Sequence, residues 1–223
     1  FKKLEVLVLD EADRMLDMGF WPDEQKILSQ LPSVRQTLLF SATMPSEVLN
    51  LTKEFLRDPA HIQVGKPGGP ASTISHTVQK VPAKEKISWL ASWLQDEIHG
   101  PVLVFCRTKI GADRLARRLS QTGIQTAALH ANRTQEQRVA AVEGFRSGLY
   151  PVLVATDVAA RGLDIDGIAY VVNFEVPHKV EDYVHRVGRT GRAEATGNAL
   201  TLAAPEELRA LRALEKAMGL PLQ

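Results

Sequence analysis

The chain has 223 residues, 44% hydrophobic and 24% charged, with a formal net charge of +1, which is ordinary for a soluble protein of one large or two small domains. No apolar run reaches the roughly 20 residues that span a bilayer and nothing resembles a signal peptide, so we expect no membrane partner. The single cysteine, Cys106, excludes an internal disulfide and the six histidines show no metal-ligand spacing, so we expect a reducing, cytoplasmic setting.

Apolar periodicity and turn residues predict alternating strands and helices along the whole chain. Strands are predicted at Leu4–Asp10, Gln36–Thr43, His76–Val81, Val102–Arg107, Thr126–His130, Val152–Thr156, Ala169–Phe174 and Ala199–Ala203. Helices are predicted at Glu24–Leu31, Ser46–Leu56, Lys84–Asp96, Ile110–Gln121, Thr134–Ser147, Val180–Val187 and Pro205–Met218. Several strands are short, continuous apolar runs, which is typical of a parallel sheet covered by helices on both faces. The fold class is therefore α/β.

Glycine and proline concentrate in residues 65–73, which we interpret as an interdomain linker. Residues 1–64 hold too few strands for a whole doubly wound domain, whereas residues 74–223 hold a full set. Because the chain opens with Phe1 rather than Met, we expect a fragment with further sequence upstream. The chain is then the tail of one α/β domain followed by a complete second one.

The first predicted strand runs straight into three carboxylates, Asp10, Glu11 and Asp13. In nucleotide-hydrolysing enzymes the first acidic residue after a buried parallel strand holds Mg²⁺, and a neighbouring carboxylate can orient the attacking water. Asp10 and Glu11 fit those two roles. Alternatively these residues only begin a helix, where Asp is a favoured cap and acidic residues suit the first turn.

Two hydroxyls, Ser41 and Thr43, end the next predicted strand, which we expect to be buried. They could hydrogen-bond Asp13 and sense the state of its site. The alternative is that they cap the helix that starts after Pro45.

The second part of the chain is mildly basic, with 20 basic and 16 acidic side chains after residue 65, and could face a polyanion. Thr156 to Asp164 follow an apolar strand, and a threonine hydroxyl there suits a phosphate while Asp164 suits a ribose hydroxyl. Asp157 could instead be a plain helix cap. Further donors follow other strands, at Arg107 and Thr108 and at Gln135 to Arg138. Successive parallel strands present their carboxyl ends on one side, so we expect these donors to line one edge.

The strongest single signal is the segment His185–Arg192. Its arginines Arg189 and Arg192 are three residues apart, and the glycine between them lets two guanidinium groups converge on one anion. This arrangement is typical of an arginine finger aimed at a transferring γ-phosphate. A basic turn that is solvent-exposed or binds the nucleic-acid backbone is the alternative.

In order and spacing these segments resemble those of the DEAD-box RNA helicases, and the resemblance covers essentially the whole chain. The segments are Asp10–Asp13, Ser41–Thr43, Val102–Thr108, Gln135–Arg138, Thr156–Asp164 and His185–Arg192. The flanking residues Leu16–Phe20 and Asp182–His185 are most similar to bacterial members of the RhlE type.

The resemblance implies two RecA-like domains that close over ATP and single-stranded RNA, with local duplex separation and release after hydrolysis. It gives Asp10 the role of holding Mg²⁺ through water and Glu11 that of catalytic base. It makes Arg189 and Arg192 the fingers from the second domain and places Asp164 on the ribose. It assigns coupling between the site and domain closure to Asp13, Ser41, Thr43 and His185. It assigns RNA-backbone contacts, which carry no base preference, to Thr108, Arg138 and Thr156.

Two departures from the family pattern matter. No G-x-x-x-x-G-K-[ST] phosphate loop occurs in the sequence, so we expect this chain alone to be inactive and the missing motifs to lie before Phe1. Ala131 stands after His130 where the family pattern has glycine, which puts the local turn in doubt. Two rival interpretations remain open, a non-enzymatic RNA-binding RecA-like module and, on weaker grounds, an ATP-driven translocase on DNA.

Overall fold

The computed structural model describes residues 1–17, 19, 21–64, 73–96, 100–160, 165–191 and 195–222. The chain divides into two compact units, Phe1–Gly69 and Pro70–Gln223. The division falls inside the predicted linker, residues 65–73.

The first unit contains a two-stranded parallel sheet and three helices. Strands β1 (Val6–Leu9) and β2 (Gln36–Leu39) pair in register, with Leu9 opposite Leu39. The helices of this unit are α1 (Ala12–Asp17), α2 (Trp21–Ser29) and α3 (Ser46–Phe55).

One face of this small sheet is open among the described residues, which corrects the prediction that the strand ending before Ser41 is buried. Val6 and Val8 are about half exposed, and Phe40, just after β2, is 53% exposed. Leu9, whose side chain lies on the opposite face of β1, is buried. These strands therefore carry more apolar side chains than the described part of the unit buries.

The second unit is built on a six-stranded sheet in which every pair is parallel, in the order β3-β8-β7-β4-β6-β5. Its strands are β3 (Ile74–Lys80), β4 (Val102–Phe105), β5 (Thr126–Leu129), β6 (Val152–Ala155), β7 (Tyr170–Asn173) and β8 (Gly197–Ala203). Its α-helices are α4 (Lys86–Asp96), α5 (Lys109–Gln121), α6 (Gln135–Arg146), α7 (Val180–Val187) and α8 (Leu208–Met218), with a short 3₁₀ turn at Pro205–Glu207.

Both faces of the central strands are covered, as predicted. All four residues of β4 are buried, and alternate side chains point to opposite faces of the sheet. Val102 and Val104 pack in one core with residues of α4 and α5, whereas Leu103 and Phe105 pack in another with residues of α6. Complete burial of side chains of this size contributes about 1.5–3 kcal/mol each to the stability of the fold. The two cores therefore stabilise the position of the strand ends at the carboxyl edge of the sheet.

Local signals fix where the helices that flank this edge begin. Thr108 caps α5 by accepting a hydrogen bond from the Gly111 amide at 3.0 Å. Thr134 and Gln137 form a reciprocal capping box at the start of α6. Among the described residues, no helix combines the length and the apolar character needed to cross a membrane.

Candidate nucleotide and nucleic-acid sites

In the first unit, Asp10 and Glu11 lie exposed at the carboxyl end of β1. The Glu11 amide donates to Asp10 Oδ1 at 2.8 Å, so the two carboxylates share one tight turn. Glu11 has a φ of 52°, a left-handed conformation that costs a residue with a side chain on the order of 1–3 kcal/mol. Such local strain is concentrated at functional sites.

Helix α1 begins at Ala12, directly after this turn. The amides of Arg14 and Met15 both donate to the Glu11 carbonyl, at 2.8 and 3.1 Å. The two interpretations left open by the sequence are therefore compatible, since the acidic segment begins a helix and also presents two exposed carboxylates.

Asp13, in contrast, is buried and bound by both hydroxyls that follow β2. Its Oδ2 accepts hydrogen bonds from the Thr43 hydroxyl at 2.5 Å and from the Thr43 amide at 3.0 Å. Its amide donates to Ser41 Oγ at 3.2 Å, and Ser41 Oγ donates to the Thr43 carbonyl at 2.6 Å. The predicted hydrogen bonds are present, whereas α3 is preceded by Pro45 and has no side-chain cap. Asp13 thus ties the end of β2 to α1 and is not available as a metal ligand.

The donor set at the end of β1 fits a magnesium ion that is bound mainly through water and phosphate. Mg²⁺ keeps several waters and is held by one or two carboxylates together with substrate phosphates. Only Asp10 and Glu11 offer exposed carboxylate oxygens in this turn. Across the described parts of the chain there is no cluster of three or more side chains that could hold a metal by itself.

In the second unit, the residues predicted to contact RNA follow three neighbouring strands. Thr108 comes after β4, Thr156 after β6, and Arg138 in the first turn of α6 after β5. Because all these strands are parallel, the three residues stand at the same edge of the sheet, as expected. Thr156 is 9% exposed and its carbonyl accepts the amides of Ala159 and Ala160, which closes a turn after the strand.

The turn around Ala131 forms without glycine. The Arg133 amide donates to the His130 carbonyl at 3.0 Å, and Ala131 is not among the residues with positive φ. His130 Nε2 lies 2.9 Å from Asp113 Oδ1, which Arg133 also contacts at 2.5 Å. Desolvation acts to raise the pKa of Asp113, but the hydrogen bonds and charges of His130 and Arg133 outweigh it and lower that pKa.

A buried arginine that sequence reasoning did not single out joins the strand ends. Arg186, on α7, is 4% exposed and binds Asp157 through two parallel hydrogen bonds of 2.6 and 2.7 Å. Its Nη1 also donates to Asn173 Oδ1 at 3.1 Å, and the guanidinium lies 5.3 Å from the centre of the Phe105 ring. Asp157 is therefore the partner of Arg186 and not a helix cap.

A second buried network lies beside it. Lys86 is 3% exposed, and its ammonium donates to the carbonyls of Phe174 and Leu202, both at 2.8 Å, and to Glu207. Arg107 donates its amide to Glu175, whose pKa is raised because burial disfavours the charged carboxylate. Arg107 is thus occupied at the strand end by intramolecular partners.

The turn that carries the predicted fingers follows α7 directly. The Arg189 amide donates to the Arg186 carbonyl at 3.1 Å, and the Thr190 amide to that of Val187 at 3.0 Å. Arg189 and His185 are both half-buried. Arg192 and Asp164 lie outside the described residues.

The fold and these sites define a protein of the RecA-like α/β class, in which nucleotide chemistry takes place at the carboxyl ends of parallel strands. Family models agree with this class. The model described as "DEAD/DEAH box helicase" matches residues 1–51, and that described as "Helicase conserved C-terminal domain" matches residues 85–194.

Individual proteins extend the match to nearly the whole chain. DEAD-box ATP-dependent RNA helicase 30 of Arabidopsis thaliana is 45% identical over 96% of this chain and 37% of its own length. The structure of S. cerevisiae Dbp5 bound to RNA and ADP BeF3 has a TM-score of 0.89 and 28% identity over 98% of this chain and 58% of that one. E. coli SrmB, solved with the regulator RraA, is 31% identical over 67% of this chain and 88% of that one, with a TM-score of 0.64.

The chain belongs to the DEAD-box RNA helicase family. It spans less than half the length of the curated relatives it matches first.

Proposed function

We propose that the full-length protein is an ATP-dependent RNA helicase, in which RNA-stimulated ATP hydrolysis is coupled to local unwinding of RNA duplexes. The observation that carries this proposal is the division of labour within the Asp-Glu-Ala-Asp segment. Asp10 and Glu11 are exposed at a strand end, whereas Asp13 is buried and bound by Thr43. The exposed carboxylates of Asp10 and Glu11 can act on a bound nucleotide, whereas the buried carboxylate of Asp13 connects α1 to the end of β2.

Each carboxylate has a role that its surroundings support. Asp10 is the residue that holds Mg²⁺, through water, and bound Mg²⁺ neutralises charge on the ATP phosphates. Glu11 is the general base that orients the attacking water, since its carboxylate is exposed beside Asp10. Asp13, Ser41 and Thr43 connect the two strand ends, so a change at one strand end is transmitted to the other.

The second unit supplies the remaining groups. Arg189 and Arg192 act on the γ-phosphate as fingers, and Asp164 binds the ribose. His185 takes part in coupling between the domains. Thr108, Arg138 and Thr156 bind RNA phosphates without base preference, in keeping with their positions on one sheet edge. The structure of Dbp5 with RNA and ADP BeF3 supports both ligands for this fold.

A non-enzymatic RNA-binding module is the alternative. Against it stands the strained turn at Glu11, because a binding module has no use for an exposed carboxylate held at a φ of 52° beside Asp10. We further propose a cytoplasmic protein of the bacterial RhlE type. The segments Leu16–Phe20 and Asp182–His185 support that subtype. We also propose that this chain is a fragment whose phosphate loop lies upstream.

Replacing the proposed base tests the enzyme directly. In the full-length protein, Glu11→Gln should lower the RNA-stimulated kcat by roughly 10²–10⁴-fold, because general-base catalysis contributes that much. The Kd for ATP should change by no more than about twofold, since the amide leaves the phosphate and Mg²⁺ contacts in place.

Glu5→Gln is the matched control, because Glu5 is an exposed glutamate in the same unit, before β1. It should keep normal kcat and ATP affinity. The assay measures phosphate release with saturating RNA and ATP binding by titration. Full-length protein that binds RNA but hydrolyses no ATP even before substitution supports the module, and a Glu11→Gln variant with normal kcat excludes Glu11 as the base.

A further inference from the structure

The turn that carries the fingers is bonded to the residue at which the predicted linker ends. Thr73 is the last residue of that linker, and its hydroxyl donates to the carbonyl of Gly191 at 3.3 Å. The Thr73 carbonyl in turn accepts the amide of Gly197, at 3.1 Å, where β8 begins. Thr73 therefore joins the start of β3, the start of β8 and the glycine between Arg189 and Arg192.

Close packing reinforces these bonds. Gly191 has a φ of 67°, and a Cβ added there would lie 2.8 Å from Ile74 Cγ1 and 3.2 Å from Thr73 Oγ1. A Cβ at Gly197 would lie 2.5 Å from both the Gly191 amide nitrogen and Thr190 Oγ1. The distances of 2.8 and 2.5 Å are shorter than a Cβ atom allows. Glycine at position 191 therefore lets the side chain of Ile74 approach the turn, and glycine at position 197 lets the backbone of β8 approach that of Gly191.

The third contact closes the turn from another side. Thr190 is 2% exposed, and its hydroxyl donates to the Ile168 carbonyl at 2.5 Å. The turn therefore contacts the start of β3, the start of β8 and the segment before β7. Contacts on three sides fix the backbone of this turn relative to the sheet.

We propose that Thr73 and Gly197 are positioning residues that set the place of the turn at Thr190 and Gly191, and through it the aim of Arg189. This inference rests on the proposed function. A finger must reach the transferring phosphate within a fraction of an ångström, and a misplacement of about 1 Å costs on the order of 100-fold in rate.

Removal of one hydroxyl tests the bond with little change in shape. In the full-length protein, Thr73→Val should lower kcat by about three- to tenfold. A change of this size corresponds to the loss of one modest hydrogen bond in the transition state. The Kd values for ATP and RNA should change by less than about twofold, because the fingers act on charge that develops in the transition state. Thr73→Ser keeps the donor and should restore kcat to within about twofold of the parent.

Thr77→Val is the matched control for this pair. Thr77 is an exposed threonine of β3, which begins directly after Thr73, so it tests whether a valine in this part of the chain has any effect by itself. It should leave kcat unchanged. If Thr73→Val and Thr77→Val lower kcat equally, or if Thr73→Ser does not restore it, the positioning role is excluded.

A steric variant tests the packing independently. Gly197→Ala should lower kcat by roughly 100-fold, because its methyl group must push Gly191 and Thr190 aside. Gly144→Ala is the matched control, since Gly144 lies on α6 and its Cβ would come equally close, 2.5 Å, to the ring of Tyr150. It should lose stability but retain kcat to within about threefold. Equal losses of kcat in the two variants would show a general cost of crowding and would overturn the proposal.

Arg189→Ala separates this inference from the proposed function. If Arg189→Ala leaves kcat unchanged, the finger assignment itself is wrong. If Arg189→Ala abolishes turnover while Thr73→Val and Gly197→Ala keep normal kcat, the fingers stand and their positioning by the linker end is refuted. Should Gly197→Ala not fold, the three threonine variants decide the question alone.

Discussion

Arg186→Met removes the guanidinium that joins three strand ends of the second unit, and we expect a large loss of stability. Methionine fills a similar elongated volume but offers no donor. Asp157 then loses two charge-assisted hydrogen bonds, of 2.6 and 2.7 Å, and Asn173 Oδ1 loses a donor at 3.1 Å. The contact with the Phe105 ring loses its positive charge.

The magnitude follows from what remains buried. Breaking a buried ion pair by removing one partner costs about 3–5 kcal/mol, because the other charge stays without compensation. The Asp157 side chain is 22% exposed, so water reaches it and relieves part of that cost. Asn173 is fully buried, and a buried acceptor without a donor adds about 1–3 kcal/mol. We therefore expect a loss of about 4 kcal/mol in the free energy of unfolding.

Fluorescence can report the second unit alone. Trp89 and Trp93 both lie on α4, so in a Trp21→Phe background urea unfolding followed by tryptophan emission reports only that unit. Arg209→Met is the control, because Arg209 is an exposed arginine of α8, and it should change stability by less than about 0.5 kcal/mol.

A double-mutant cycle with Asp157→Asn isolates the pair. The coupling between the two substitutions should be about 1–3 kcal/mol, as for residues in direct contact. Arg186→Lys should recover only part of the loss, since an ammonium cannot form two parallel bonds to one carboxylate. A loss below about 1 kcal/mol for Arg186→Met, or a coupling near zero, would refute the argument from burial and geometry.

Two further predictions concern other buried hydrogen bonds. Thr43→Val should destabilise the first unit by about 1.5–3 kcal/mol, because Asp13 loses a 2.5 Å bond from a buried hydroxyl. Emission of Trp21 during urea unfolding measures this in a background with Trp89→Phe and Trp93→Phe; unchanged stability would show that the Thr43 amide alone suffices. Asp113→Asn tests the lowered pKa of Asp113, which stabilises the fold above the usual Asp pKa of about 3.9 and loses that contribution as the pH falls through the lowered value. The variant should therefore be less stable than the parent at pH 6 and approach it at pH 2.5 in urea titrations; a difference independent of pH would contradict the assignment.

The sequence by itself determined the class of fold and the order of the elements. Apolar runs such as Val102–Phe105 and Val152–Ala155 are local signals, and burial on both faces of a parallel sheet follows from their composition. The hydroxyl partners of Asp13 were also predictable, because residues that follow neighbouring parallel strands meet at one sheet edge. The sequence alone could not decide whether Asp10 to Asp13 form a metal site or begin a helix, since Asp and Glu suit both a metal site and a first turn.

Only the tertiary structure decided which partner each polar group at the sheet edge takes. Arg186 is one of several arginines in its segment, and its burial against Asp157 depends on how α7 packs against β7. The bond between Thr73 and Gly191 joins residues 118 positions apart, through two glycines whose closeness no local pattern encodes. The exposed face of β1 could not be predicted from the sequence either, because an apolar strand has the same sequence pattern whether or not other elements pack on both of its faces. Periodicity reports which residues prefer burial, and only packing decides what they are buried against.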